Sequence, residues 1–174
     1  MIILITGASH TGKTLLAQKL LEKYKYPCIS MDHIKMGLIR SGKTDLTPYD
    51  DEQMTEYLWP VIREMIKTAV ESKQNLIVEG GYVPPHWENG FTPEYLDEIS
   101  FYCLAMSEEY IRSRFTDIKK YASVIEHRGD DSDFDIETAV KENRMYIESF
   151  SYCKNGLILI DNNYEESMNG YERI

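Results

Sequence analysis

Eight consecutive residues, Gly7-Ala8-Ser9-His10-Thr11-Gly12-Lys13-Thr14, satisfy the pattern G-x-x-x-x-G-K-[ST]. Each residue type has a chemical reason to be there. The glycines let the backbone curl so that successive N–H groups converge on one anion. Lys13 can neutralise charge on the β- and γ-phosphates of a nucleotide, and the Thr14 hydroxyl can ligate Mg²⁺. The helix that begins here, running on through Leu15, turns its positive dipole end toward the same anion. Gly7 to Leu15 are therefore the candidate ATP-binding residues, with Lys13 also a catalytic candidate.

A bound triphosphate needs an acceptor and charge stabilisation. Asp32 lies in Ser30-Met31-Asp32-His33-Ile34-Lys35, directly after a strand-like segment. A carboxylate there could take the proton of an acceptor hydroxyl or hold a water on Mg²⁺, or it could cap the helix that follows. Lys35 and Arg40, on that helix, could grip an anionic acceptor or serve as solvated surface charges. Glu79 closes Leu76-Ile77-Val78-Glu79. An acid at the end of a buried strand is costly unless it meets a metal, a water or a donor, so Glu79 is the other candidate to bind Mg²⁺ through water. Tyr82, in the loop after it, could shape an acceptor pocket or simply pack. Arg112, Arg114, Arg128 and Arg144 are candidates to stabilise the transferring phosphoryl group, Arg128 with Gly129 as a hinge in a lid of about 116–135. Asp161-Asn162-Asn163 could meet an adenine base or form a turn. His10 lies inside the loop with its side chain expected to point outward, and His33, His86 and His127 show no metal-ligand spacing.

Holding these groups together requires strands that end where the chemistry is. Ile2 to Thr6 is a continuous apolar run, as in a strand buried on both faces. Thr14 to Tyr24 follows with Leu15, Leu16, Leu20 and Leu21 at helical spacing. Tyr26 to Met31 is a second strand candidate. Asp51 to Glu71 reads as a long helix that Pro60 should kink or split. Leu76 to Val78 is a third strand, followed by loop until Thr92-Pro93 starts another helix. Ile99 to Met106 is a fourth strand, and Ser107 caps a helix through about Phe115. The polar stretch Tyr121 to Asp135 precedes helical periodicity from Ile136 to Cys153, and Leu157 to Ile160 is a fifth strand. Strands alternating with helices imply crossover connections, hence an α/β fold with a parallel sheet covered on both faces, in one domain over residues 1–174.

Composition restricts the partners. The 19 Lys and Arg face 29 Asp and Glu, a formal charge of −10. Such a surface repels polyanions, which argues against nucleic acid as a partner, while a local cluster of donors can still hold a small polyphosphate. With 43% apolar and 28% charged residues, the chain is excluded from the disordered, collagen-like and disulfide-scaffold classes. Cys28, Cys103 and Cys153 form no C-x-x-C pair and read as reduced, buried thiols of a cytoplasmic protein. The apolar N-terminus is too short for a membrane span and lacks a basic leader, so no membrane partner is expected.

In these features the chain resembles the adenylate kinase-like, or nucleoside monophosphate kinase-like, branch of the P-loop kinases. Gly7 to Thr14 resembles the family's phosphate loop. Ile29-Ser30, Asp32 to Lys35 and Ser41-Gly42 resemble its segment I-S-x-G-D-x-L-R followed by S-G, with Lys35 where the family has arginine. Arg128-Gly129-Asp130-Asp131, with Arg144 further on, resembles the lid element R-x-D-D and its second arginine. The family's D-G-F-P-R is replaced by Glu79-Gly80-Gly81-Tyr82-Val83-Pro84, and Val78-Glu79-Gly80 is similar to the I-V-E-G of uridine kinase-type enzymes. The resemblance implies a five-stranded parallel sheet of order 2-3-1-4-5, a small lid, and ATP with Mg²⁺ as donor. It implies an ATP-dependent phosphotransferase acting on a small metabolite or nucleotide, and leaves the acceptor open. An ATP-binding switch without a dedicated acceptor, and a kinase-like toxin or antibiotic-modifying phosphotransferase, are the alternatives.

Overall fold

The apolar run at Ile2 lacks polar alternation because both of its faces are covered. The computed structural model describes residues 1–121, 134–153 and 156–168, and in it this run is the strand β1, Ile2–Gly7, buried at every position. The chain continues through α1 (Lys13–Tyr24), β2 (Cys28–Ser30), α2 (Met31–Arg40), α3 (Asp51–Glu71), β3 (Leu76–Glu79), α4 (Pro93–Leu96) and β4 (Ile99–Met106). It ends with α5 (Glu108–Tyr121), α6 (Ile136–Phe150), β5 (Leu157–Ile160) and α7 (Tyr164–Met168). A short 3₁₀ turn, Trp87–Gly90, interrupts the loop before α4. The five strands form one sheet in the order β2-β3-β1-β4-β5, and every pairing is parallel.

The period of two along β1 sorts its side chains into two cores. Ile2 and Leu4 point to the face covered by α2, α3 and α6, where they join Met31, Leu58, Ile62, Ile66 and Phe150. Ile3 and Ile5 point to the opposite face and pack with Leu16, Leu20 and Met168 of α1 and α7. A smaller cluster, Met106, Ile111, Ile118, Phe134, Val140 and Ile160, joins α5 and α6 to the ends of β4 and β5. The result is three layers, helix on sheet on helix. Among the described residues no helix is long and apolar enough to cross a membrane.

Several local expectations are revised. β2 is only three residues long, and Met31 opens α2 instead of closing the strand. Pro60 does not split α3, which runs unbroken for 21 residues. Pro60 and Glu56, whose carbonyl loses its helical partner, both face solvent, where water can serve that carbonyl. α5 extends to Tyr121, so the first part of the expected lid is helix, and residues 122–133 lie outside the described residues. Thr92 stands at the N-cap position before Pro93, but its hydroxyl donates to Glu94 instead of capping the backbone. The α7 helix, unforeseen from sequence, is capped by Asn163, whose Oδ1 accepts from the Glu165 N–H at 2.9 Å. The three cysteines are free thiols, Cys103 buried and Cys28 and Cys153 only half-buried.

α6 is fastened to the sheet by one polar side chain. Asn143 is 1% exposed; its Oδ1 accepts from the Met106 N–H at 2.7 Å and its Nδ2 donates to the Ala139 carbonyl at 2.8 Å. Asn143→Ala strands a buried donor at the end of β4, which costs about 1–3 kcal/mol. Thermal unfolding should show a midpoint lower by about 5 °C, and an unchanged midpoint would refute this role for Asn143.

A candidate phosphotransfer site at the carboxyl edge of the sheet

The chain builds the β2–β3 side of the sheet first and then crosses β1 to build β4 and β5, so the order reverses beside β1. In parallel sheets the crevice beyond such a reversal is where ligands bind. The register brings three carboxyl ends together there: Ile5 of β1 lies opposite Glu79 of β3, and Glu79 lies opposite Ser30 of β2. At about 5 Å per strand, the loop after β1 and Asp32 after β2 stand roughly 10 Å apart across Glu79.

The loop between β1 and α1 is shaped as a cradle. Gly7 has φ 139° and sits against Leu104, whose carbonyl accepts the Ala8 N–H at 3.1 Å; a Cβ at Gly7 would overlap that carbonyl. Gly12 has φ 86° and stands at the N-cap of α1, and a Cβ there would overlap the Tyr164 hydroxyl. The Thr11 hydroxyl closes the loop on the Ala8 carbonyl at 2.7 Å, and Lys13 Nζ donates to the same carbonyl at 2.7 Å. Lys13 thus lies folded over the loop, on an acceptor weaker than a phosphate. Leu15 continues α1 one residue beyond Thr14.

Thr14 and Glu79 meet as a pair. Glu79 is 4% exposed, and its Oε2 accepts from the Thr14 hydroxyl at 3.4 Å. One hydroxyl and one carboxylate at the mouth of a phosphate loop fit Mg²⁺, which keeps several waters and takes its remaining ligands from the phosphates. Among the described residues no cluster of three or more His, Cys, Asp or Glu could hold a metal by itself. Burial, together with the Glu79 charge, raises the Cys28 thiol to about 11, so it stays neutral.

Opposite the loop lies a second cluster. Lys35 and Tyr82 are 8% and 6% exposed, and the Lys35 ammonium donates to the Tyr82 hydroxyl and pairs with Asp32 at 3.3 Å. The Tyr82 hydroxyl in turn faces Asp32 Oδ1 at 3.4 Å and Asp51 Oδ1 at 3.3 Å. Burial, and then the charges of Asp32 and Asp51, push the Tyr82 phenol far above its ordinary value, so it remains a hydroxyl. The Lys35 ammonium, expected to grip an anionic acceptor, is turned here onto Tyr82 and Asp32. Asp51, the first residue of α3, had no sequence signal beyond an acidic helix start.

The described arginines after β4 are bonded to other acids. Arg112 bonds Glu108 at 2.9 Å and Glu137 at 2.7 Å, Arg144 bonds Glu108 at 3.0 Å, and Arg114 lies 3.7 Å from Asp117. All three are exposed, as is Arg40 at the end of α2. Arg128, with Gly129, Asp130, Asp131 and His127, lies outside the described residues.

α6 reaches the phosphate loop by another route. Glu142 Oε1 accepts from the Ser9 N–H at 2.8 Å and from the Ser9 hydroxyl at 2.9 Å. The His10 ring does not point away; it stacks on Phe134 at 3.9 Å, and Phe134 stacks on Phe115. Glu142 has no sequence signal at all, since a single acid on an amphipathic helix looks like surface.

No family model and no curated protein sequence matches this chain. Solved structures do. A shikimate kinase from Bacteroides thetaiotaomicron matches with TM-score 0.56 and 17% identity, covering 99% of this chain and 96% of that one. A deoxyadenosine kinase from M. mycoides matches with TM-score 0.54 and 18% identity over 95% and 91%. A gluconokinase from Sinorhizobium meliloti matches with TM-score 0.51 and 14% identity over 94% and 85%. The fold is that of the P-loop kinases.

Glu142 holds, as a carboxylate, donors that the loop would offer to a phosphate, so the two anions compete. Hydrogen bonds to a charged group are worth about 1.5–3 kcal/mol, and Gln at this position gives up the charge. Glu142→Gln should bind tripolyphosphate or ATP about three- to tenfold more tightly by calorimetry. Unchanged or weaker binding would show that Glu142 does not compete.

Proposed function

We propose that the protein is an Mg²⁺- and ATP-dependent phosphotransferase that transfers the γ-phosphoryl group of ATP to a hydroxyl of a small molecule. The observation that carries this reading is the alignment of three ends of one sheet: phosphate loop, Thr14–Glu79 pair and Asp32, side by side in that order. An ATP-binding switch needs the first two of these and has no use for the third.

In this reading the loop N–H groups and the head of α1 hold the β- and γ-phosphates. Lys13 leaves the Ala8 carbonyl and bonds the γ-phosphate, where it stabilises charge on the equatorial oxygens as transfer proceeds. Thr14 and Glu79 would hold Mg²⁺, directly and through water, and the ion would neutralise phosphate charge. Asp32, fixed in direction by Lys35, accepts the proton of the attacking hydroxyl. The acceptor oxygen gains the phosphoryl group and ADP leaves. Arg128 is the proposed lid arginine, with the role of stabilising charge on the transferring group.

Lys13→Ala should lower phosphotransfer from γ-labelled ATP by about two to three orders of magnitude while circular dichroism and melting temperature stay those of the parent. Full activity in that folded variant would be decisive against the reading. Asp32→Asn should lower kcat about a hundredfold or more and leave the KM for ATP nearly unchanged. A raised KM for ATP with kcat intact would remove Asp32 from the proton transfer.

A further inference from the structure

The acceptor wall can be read for the hydrogens it has left to give. Its donors are Lys35 and the Tyr82 hydroxyl, and most of their hydrogens are committed. Two of the three Lys35 ammonium hydrogens go to Tyr82 and Asp32, and the side chain is only 11% exposed. Tyr82 owns one hydroxyl hydrogen, yet it faces two carboxylates, Asp32 at 3.4 Å and Asp51 at 3.3 Å. It can serve only one of them at a time. An ionised carboxylate accepts several hydrogen bonds, so the two acids retain most of their lone pairs for a ligand. Both acids are exposed, at the first turns of α2 and α3, whereas Lys35 and Tyr82 are buried. The formal charge is two acids against one lysine. Among the described residues no arginine bonds any member of the cluster: Arg63, Arg112, Arg114 and Arg144 are engaged with other acids, and Arg40 stands at the opposite end of α2 from Asp32.

An anion placed on this wall would meet lone pairs and like charge. A ligand that brings its own hydrogens would satisfy it. Resting on the phosphotransferase reading, we propose that the acceptor is a polyhydroxylated molecule bearing no phosphate or carboxylate group, an amino-substituted polyol above all. Asp51 and Tyr82 set this specificity: Asp51 accepts from a hydroxyl or ammonium group remote from the reacting oxygen, and Tyr82 holds the two acids apart at a fixed spacing. Asp32 alone takes the proton of the hydroxyl that attacks.

The test is a transfer assay with γ-labelled ATP and Mg²⁺ on the whole chain, comparing three arms: neutral sugars and nucleosides, amino sugars and aminocyclitols, and sugar phosphates, sugar acids and nucleoside monophosphates. Transfer to the first two arms, with the aminated acceptors at least tenfold higher in kcat/KM than the anionic ones, is the expected result. Asp51→Asn should then raise the KM of the aminated acceptor about tenfold and leave the KM for ATP unchanged, and Tyr82→Phe should raise acceptor KM in the same direction. Preferred labelling of the anionic arm overturns the inference and leaves the kinase reading standing. Tight Mg²⁺–ATP binding with no transfer to any arm overturns it as well. Failure to bind ATP, by calorimetry on the parent chain, overturns the kinase reading and this inference with it.

Discussion

A ring of backbone N–H groups at the head of a helix is an unfinished structure, because its donors point at one spot and want an anion there. In this protein the fold itself supplies part of that anion. Glu142 reaches across from α6 to the Ser9 N–H and hydroxyl, while Lys13 rests on the loop's own Ala8 carbonyl. The placement of α6 therefore depends on the loop as much as the loop depends on β1. Asn143, the next residue, fastens the same helix to the end of β4, and His10 stacks on the Phe134 ring just ahead of it. The phosphate loop, α6 and the carboxyl end of β4 form one mechanical unit.

Much of this unit was written plainly in the sequence. The continuous apolar run at Ile2, the glycines at positions 7 and 12, and the alternation of strands with helices demand a buried parallel sheet with a phosphate loop at its edge. Glu79 was legible because a charged residue closing an apolar run must have a partner, and Thr14 is that partner. The unreadable parts depend on tertiary proximity. Asp51 lies nineteen positions beyond Asp32, and only the closing of α3 against α2 brings the two onto one tyrosine hydroxyl. Glu142 sits on a helix whose exposed face already carries Glu137, Lys141, Arg144 and Glu148, so nothing in its local pattern distinguishes it. Lys35 illustrates the same limit: the sequence marks it as a cation on α2 but not its partners, since a buried ammonium takes whatever oxygen the fold brings nearest.

Charge is distributed with the same economy. A chain of formal charge −10 would repel a triphosphate approaching at random. The loop answers with backbone donors, a helix end and the cation Lys13, which attract an anion over a few ångströms without altering the surface as a whole. Opposite it, across Glu79, the wall is carboxylate-rich. In the proposed reaction one end of the crevice would take electron-rich groups and the other hydrogen-bearing ones, sorting donor from acceptor by polarity.

The contact between Gly12 and Tyr164 joins the beginning of the chain to its far end. A side chain of even one carbon at Gly12 would overlap the Tyr164 hydroxyl and crowd its Cζ at 2.9 Å. Two residues that no local pattern connects are thereby under a single steric restriction. Within any lineage of this protein they are expected to drift as a pair: while the aromatic ring packs beneath the loop, a larger residue at position 12 must displace the ring as well as adopt a positive φ. A lineage that lost the ring would keep only the loop's own geometry as a reason to retain glycine there.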